Sequence, residues 1–316
     1  MKKKRSSAGN SWRVEALARH LQISRDDDEF RILGGELRTL ENSDLIDAAL
    51  RLHNYAEDRG WYNPYWDSVY ELRRRESEEV FETALQLCKS RRVRDRQIGC
   101  YVLGDGWRPK RRYNRQALNQ LHLLLKSETN PTVLYAILYG IQGAQDWDNT
   151  REIKRIASFR EHKYEKVRMG VIEVLLHRSD QISVDALIHL THDESDYIRD
   201  WATFGLTFES TGDTPRIRNT LFARLSDEDY YTRHEAISGL ASRKDPRVRD
   251  ALIEAVNQIN ATTSSYISTH VFWAVEDFSD KSLLPLLDQK ISEADDEDEA
   301  SHWLEDAREA RNRLAS

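Results

Sequence analysis

Apolar residues recur along most of this chain at spacings of three and four, the period of a helix packed on one side. A short motif rides on that period. An apolar or β-branched residue is followed by a polar one, usually Arg, then by a small residue three on and an apolar one beyond. It reads Val93-Arg94-…-Gln97-…-Leu103-Gly104, Val133-Leu134-…-Ala136-…-Gly140 and Val167-Arg168-…-Gly170-…-Leu175. It continues as Ile198-Arg199-…-Ala202-…-Leu206, Thr232-Arg233-…-Ala236-…-Leu240 and Ile267-Ser268-…-Val271-…-Ala274. Successive copies are 40, 34, 31, 34 and 35 residues apart. A period in the thirties marks a helical solenoid, in which each unit is a helical hairpin that cannot bury its apolar face alone. The pattern therefore predicts an all-α fold, a right-handed α-solenoid, with no strands.

The same reading places the elements. First helices of the hairpins are expected at 91–104, 131–142, 164–177, 195–208, 229–241 and 265–277, and second helices at 78–88, 115–126, 151–159, 183–191, 215–226, 246–258 and 281–291. Gly212-Asp213-Thr214-Pro215 and Lys244-Asp245-Pro246 read as turns with Pro at the first helical position, where a missing N–H costs nothing. Residues 1–10 read as a disordered basic leader, 11–75 as a divergent helical N-terminal cap, 76–291 as the repeats, and 292–316 as an acidic loop and C-terminal capping helix.

Composition narrows the class. Hydrophobic content of 39% is low for a globular protein but fits a stack one or two helices thick. The two cysteines, Cys88 and Cys100, suit a reducing compartment rather than a disulfide framework. With no secretory signal and no long apolar run, the expected location is the cytoplasm. The net charge of −7 is unevenly spread. Residues 1–126 carry 25 Lys/Arg against 19 Asp/Glu, and the remainder 22 against 35. Lys89–Arg115 is the basic extreme and Asp288–Glu309 the acidic one, a polarity that steers charged partners.

Asp193-Glu194-Ser195-Asp196-Tyr197-Ile198-Arg199-Asp200-Trp201-Ala202-Thr203-Phe204-Gly205-Leu206 resembles a HEAT repeat of the short, phycobilin-lyase-like bacterial kind, as does the unit from Asp227 through Thr232-Arg233-His234-Glu235-Ala236 to Ala241. The resemblance implies HEAT-like hairpins over about 76–291. It also implies a ladder in which an Asp ahead of the first helix pairs with the Arg inside it. Asp193 or Asp196 would then meet Arg199, and Asp227 or Asp229 would meet Arg233, with Arg94 and Arg168 at the matching positions of other units. A narrower likeness runs through Arg96-Gln97-Ile98-Gly99-Cys100-Tyr101-Val102-Leu103-Gly104, Ile198-Arg199-Asp200-Trp201-Ala202-Thr203-Phe204 and Ser238-Gly239-Leu240-Ala241-Ser242-Arg243-Lys244-Asp245-Pro246-Arg247-Val248. These segments resemble bacterial HEAT-repeat proteins associated with Rhs polymorphic toxins, which are regarded as immunity proteins. That resemblance implies a non-catalytic scaffold that neutralises a toxin by binding it, through the surface lined by the second helices.

His234-Glu235 is the sole His-Glu pair, whereas the HEAT-repeat iron hydroxylases need several converging, so it reads as a solvent-facing helix pair and no metal or cofactor is expected. Trp147-Asp148, Asp200-Trp201 and Trp66-Asp67, with the basic run, resemble features of HEAT-like alkylpurine DNA glycosylases, the alternative nucleic-acid-binding reading. A lyase-type chaperone of tetrapyrrole-bearing proteins finds no residue in its support. No nucleophile–base pair or phosphate loop points to an enzyme. The candidate partner contacts are the aromatics Trp61, Tyr62, Tyr65 and Trp66, the basic Arg108, Arg111, Arg112 and Arg115, and the acidic Asp295, Asp296 and Asp298.

Overall fold

A computed structural model describes residues 37–53, 64–104, 112–142, 149–176, 178–208, 212–260, 262–295 and 303–316. The side chains of Pro64, Ala294 and Asp295 lie outside the described set. All regular structure among these residues is helical. Two units emerge, residues 1–149 and 150–316.

In the first unit, α1 (Asn42–Leu52) packs on α2 (Pro64–Arg75), and two hairpins follow: α3 (Glu78–Cys88) with α4 (Val93–Leu103), and α5 (Asn114–Leu124) with α6 (Pro131–Gln142). The helices start where capping residues meet the orphan N–H groups of the first turn. Ser77 Oγ accepts from Val80 N at 3.1 Å ahead of α3, and Asn130 Oδ1 accepts from Thr132 N at 3.1 Å ahead of α6. The core is filled by Leu45, Leu52, Tyr65, Leu72, Ile98, Leu134, Ile137 and Ile141, all fully buried.

The recurrent Gly has a packing reason here. A Cβ on Gly104 would stand 2.4 Å from the Cα of Gly140, so α4 and α6 approach with no room for a methyl group. Overpacking at such a contact costs about 1–3 kcal/mol. Gly104→Ala should therefore lower the thermal midpoint by several degrees in calorimetry, and an unchanged midpoint would show that the two backbones are not in contact.

In the second unit, five hairpin-like pairs follow one another. They are α7 (Thr150–Ala157) with α8 (Glu165–Leu175), α9 (Gln181–Leu190) with α10 (Asp196–Thr207), α11 (Pro215–Arg224) with α12 (Tyr230–Ser242), α13 (Arg249–Gln258) with α14 (Ser265–Phe278), and α15 (Leu284–Asp295) with α16 (Leu304–Ala315). Pro215 opens α11 behind Thr214, whose Oγ1 accepts from Ile217 N at 3.2 Å. Lys244 takes a positive φ of 51° at the turn into Asp245-Pro246. The helices α8, α10, α12, α14 and α16 pack directly on one another, while those of the alternate row mainly meet their own hairpin partners. A stack drawn together along one row and splayed along the other curves toward the tight row. The inner face of this unit is therefore lined by α10, α12 and α14, the second helices of these pairs, which the sequence pattern numbers as the first helices of its hairpins.

The Arg ladder is present in a different register from the one expected. Arg168 donates through Nε and Nη2 to Asp193 at 2.7 and 2.8 Å, and through Nη1 to the His162 carbonyl at 2.9 Å. Arg199 does the same with Asp227, at 3.0 Å from Nε and 2.9 Å from Nη2, while its Nη1 reaches the Asp193 carbonyl at 3.1 Å. Each Arg thus takes a backbone carbonyl six residues behind it and a carboxylate one unit ahead. Asp193 and Asp227 serve the Arg of the preceding unit, not Arg199 and Arg233 as expected. Arg233 Nη1 bonds the Asp227 carbonyl at 2.7 Å, and the position of the next acid is held by Asn260. In the first unit the ladder residue is Arg96, not Arg94. Arg96 Nε donates to Glu128 Oε2 at 2.8 Å and its Nη1 to the Ser90 carbonyl at 3.2 Å, whereas Arg94 lies half-exposed beside Asp95.

Candidate functional site

The inner face of the second unit carries a row of aromatics set by the repeat. Tyr197, Tyr231 and Tyr266 are the second residues of α10, α12 and α14, and they stand 40%, 52% and 50% exposed. Two turns along α14, Trp273 is 55% exposed. His270 bridges Tyr266 and Trp273, with ring centroids 4.2 and 5.4 Å away, so α14 presents a continuous aromatic edge. Exposed large rings are expensive to leave in water and are the side chains that dominate binding energy at protein interfaces.

Two carboxylates sit among these rings. Glu235 on α12 is only 7% exposed, and its hydrogen bond is from the Tyr266 hydroxyl, Oη to Oε1, at 3.3 Å. No cation among the described residues pairs with it. Other buried acids are all matched: Glu152 with Arg155, Asp227 with Arg199 and Arg224, and Asp245 with Arg218 and Arg247. Asp200 on α10 likewise has no ion-pair partner among the described residues. Burial, then repulsion from Asp200, push the Glu235 carboxyl up to about 7, with the Tyr266 hydrogen bond pulling the other way. Burial, followed by the charges of Asp229 and Asp196, push Asp200 up to about 6. At neutral pH the Glu235 carboxyl is therefore only partly ionised.

His234 and Glu235 do not form the solvent-facing pair the sequence suggested, since both are buried. His234 Nδ1 lies 2.8 Å from the Tyr230 carbonyl, and burial lowers its affinity for a proton. Among the described residues no cluster of His, Cys, Asp and Glu has the arrangement of a metal site.

Of the sequence-nominated contacts, Tyr65, Trp66, Arg112, Arg115 and Asp295 lie among the described residues. Tyr65 is wholly buried, so it packs the first unit and offers nothing to a partner. Trp66 lies half-buried, 5.1 Å from Tyr65, 4.7 Å from Tyr101 and 6.0 Å from Tyr139 between ring centroids, as packing between helices demands. Arg112 and Arg115 are exposed at the start of α5, with the Arg112 guanidinium 5.1 Å from the Tyr113 ring. Asp295 ends α15. Trp61, Tyr62, Arg108, Arg111, Asp296 and Asp298 lie outside the described residues. Asp200, Glu235 and Trp273 were not among the sequence-nominated contacts. The available signal was the shared offset of Tyr197, Tyr231 and Tyr266, each two residues before Arg199, Arg233 and Ser268.

Comparison with known proteins agrees with the architecture. Residues 214–307 match the family model for HEAT repeats. Protein YibA of Escherichia coli strain K12 is 24% identical over 242 residues, covering 71% of this chain and 79% of its own length. YibA of E. coli O157:H7 aligns to the same extent, 24% over 242 residues. The X-ray structure of E. coli YibA superposes with a TM-score of 0.66 at 21% identity, covering 92% of this chain and 99% of that one. The described residues thus form an all-helical fold like that of E. coli YibA, with HEAT repeats matched over residues 214–307. No helix among the described residues is long and apolar enough to cross a membrane.

Proposed function

We propose that this protein is a non-catalytic recognition scaffold that holds another protein on the inner face of α10, α12 and α14. The observation that carries the reading is the repeat-spaced row of exposed rings, Tyr197, Tyr231, Tyr266 and Trp273, on helices whose neighbouring apolar positions Ile198, Ile237, Ile267 and Val271 are buried in the stack. The finer reading is that the partner is a toxin domain neutralised by sequestration. It is supported by the resemblance of 96–104, 198–204 and 238–248 to toxin-associated HEAT-repeat proteins, and by the acidic balance of residues 127–316. Occupancy alone would suffice for neutralisation: nanomolar binding corresponds to about −12 kcal/mol, within reach of a few aromatic anchors.

The second unit gives the nucleic-acid alternative less support, because several of its Arg side chains are already engaged. A DNA-binding groove needs cations free to meet phosphates. Arg155, Arg218 and Arg224 are instead engaged by Glu152, by Asp213 and Asp245, and by Asp227, and Arg216 is held by Asp185.

The test is capture from native lysate with the full chain as bait, with and without nuclease digestion, read by mass spectrometry. The scaffold reading expects one dominant protein retained after digestion, and the toxin reading expects that protein to arrest growth when expressed alone. Recovery that disappears with the nucleic acid would overturn both.

A further inference from the structure

We propose that the inner face of α10, α12 and α14 takes an extended, Lys- or Arg-bearing segment of the protein partner, seating one cationic side chain between Asp200, Glu235 and the Tyr266 ring. This deepens the scaffold reading and rests on it.

The first ground is the missing counter-charge. Burying a carboxylate without a partner is costly, and elsewhere in the second unit the chain meets that cost with Arg. Asp227 receives Arg199 and Arg224, and Asp245 receives Arg218 and Arg247. Glu235 is equally buried, yet its hydrogen bond comes from a neutral phenol, and Asp200 beside it has no cation either. The charged and titratable groups facing this spot come from three helices. They are Asp196 and Asp200 on α10, His234 and Glu235 on α12 with Asp229 at its N-cap, and Tyr266 and His270 on α14. The nearby cation, Arg233, is turned back onto the carbonyls of Asp227 and Glu228 and over the Tyr230 ring. The spot is thus acidic, lined with ring faces and short of one positive charge.

The second ground is the spacing of the rings. Packed helices lie about 8–10 Å apart, so Tyr197, Tyr231 and Tyr266 repeat at roughly that interval. An extended segment in the polyproline II conformation has three residues per turn and rises about 3.1 Å per residue, so every third side chain lies on one face about 9 Å apart, in register with the rings. A guanidinium or ammonium group over a tyrosine or tryptophan face gains cation–π attraction, and more where water is excluded. Arg suits the site best because its planar fork can meet a carboxylate with two hydrogen bonds while stacking on a ring.

The test uses a fluorescently labelled peptide of glycine with arginine at every third position, and its twin with citrulline, which keeps the shape and removes the charge. Binding to the full chain is followed by fluorescence anisotropy. The arginine peptide should bind at least about tenfold more tightly than the citrulline peptide. Its affinity should rise about tenfold from about pH 6 to about pH 8, as the Glu235 carboxyl ionises. Glu235→Gln, checked for folding by circular dichroism, should weaken binding about tenfold or more and abolish that pH dependence. Equal binding of the two peptides, no binding of either, or an unaltered pH profile in Glu235→Gln would overturn the proposal. Those results would leave the scaffold reading standing if lysate capture still yields a protein partner, so the two can fail separately.

Discussion

Asp227→Ala should destabilise the second unit by about 3–5 kcal/mol, the expected cost of stripping one partner from a buried ion pair. Asp227 accepts from Arg199 at 2.9 and 3.0 Å and from Arg224 at 3.0 Å, and it braces the turn ahead of α12 by accepting from the Asp229 N–H at 2.9 Å. Its loss leaves two guanidinium groups without a counter-ion and removes that turn hydrogen bond at once. Burial works against ionisation here, yet the Arg199 and Asp229 hydrogen bonds hold the Asp227 carboxyl below the usual carboxylate range. A depressed folded-state value means that this stabilisation is present above the unfolded carboxyl value and is lost as acid protonates the native carboxylate. Chemical denaturation of the variant should show the full loss at neutral pH and a much smaller one in acid. A double substitution with Arg199→Ala should recover part of the loss, because the unpaired charge goes with it. A loss below about 1 kcal/mol would mean that the pair behaves like a surface salt bridge.

Glu235→Gln should act in the opposite direction and raise stability at alkaline pH. The native Glu235 carboxyl is raised from 4.5 to about 7. A raised value means that folding is favoured while the group is protonated and that the advantage drains away as pH climbs through the native value. Relative to the Gln variant, the wild-type chain should therefore lose stability between about pH 4.5 and about pH 7. The difference should reach about 3 kcal/mol once both states are ionised, counted as 1.36 kcal/mol per unit. Asp200 is raised by its own burial and by neighbouring carboxylates, so Asp200→Asn should share part of the same effect instead of adding to it in full. Urea titrations of both variants across that range measure it. A flat difference would mean that Glu235 is solvated or already paired.

Much of the fold was readable because one physical constraint repeats. Val167, Ile198, Thr232 and Ile267 are buried at the same place in successive units, and the intervening Gly and Ala positions let the helices close. The ladder was half readable. Arg168, Arg199 and Arg233 announce themselves, but sequence proximity favours pairing with the Asp just upstream. The stack instead brings the acid of the next unit, 25 or 28 residues ahead, into reach. Choosing Arg94 over Arg96 failed for a related reason: both lie in the same helical turn, and only packing decides which one turns inward.

The candidate site was the least legible part. Asp200 and Glu235 are 35 residues apart, and on helical wheels alone each passes for an exposed polar position. Their significance comes from Glu235 being buried and Asp200 half-buried with no cation beside them among the described residues, which is a property of the assembled stack. The charged runs that composition made prominent said less, because a run of like charges is equally at home in water.

The most direct test of the inner-face assignment compares capture of the native partner by three full-length baits. They are the wild type, a Tyr266→Ala/Trp273→Ala variant of the inner face, and an Arg216→Ala variant in the alternate row. Two exposed aromatic anchors at a hot spot are together worth about 4 kcal/mol or more, so the first variant should retain the partner at least about a hundredfold less tightly. The second should match the wild type. Equal retention by the aromatic variant, with loss on Arg216→Ala, would place the partner on the opposite row of helices and contradict the account.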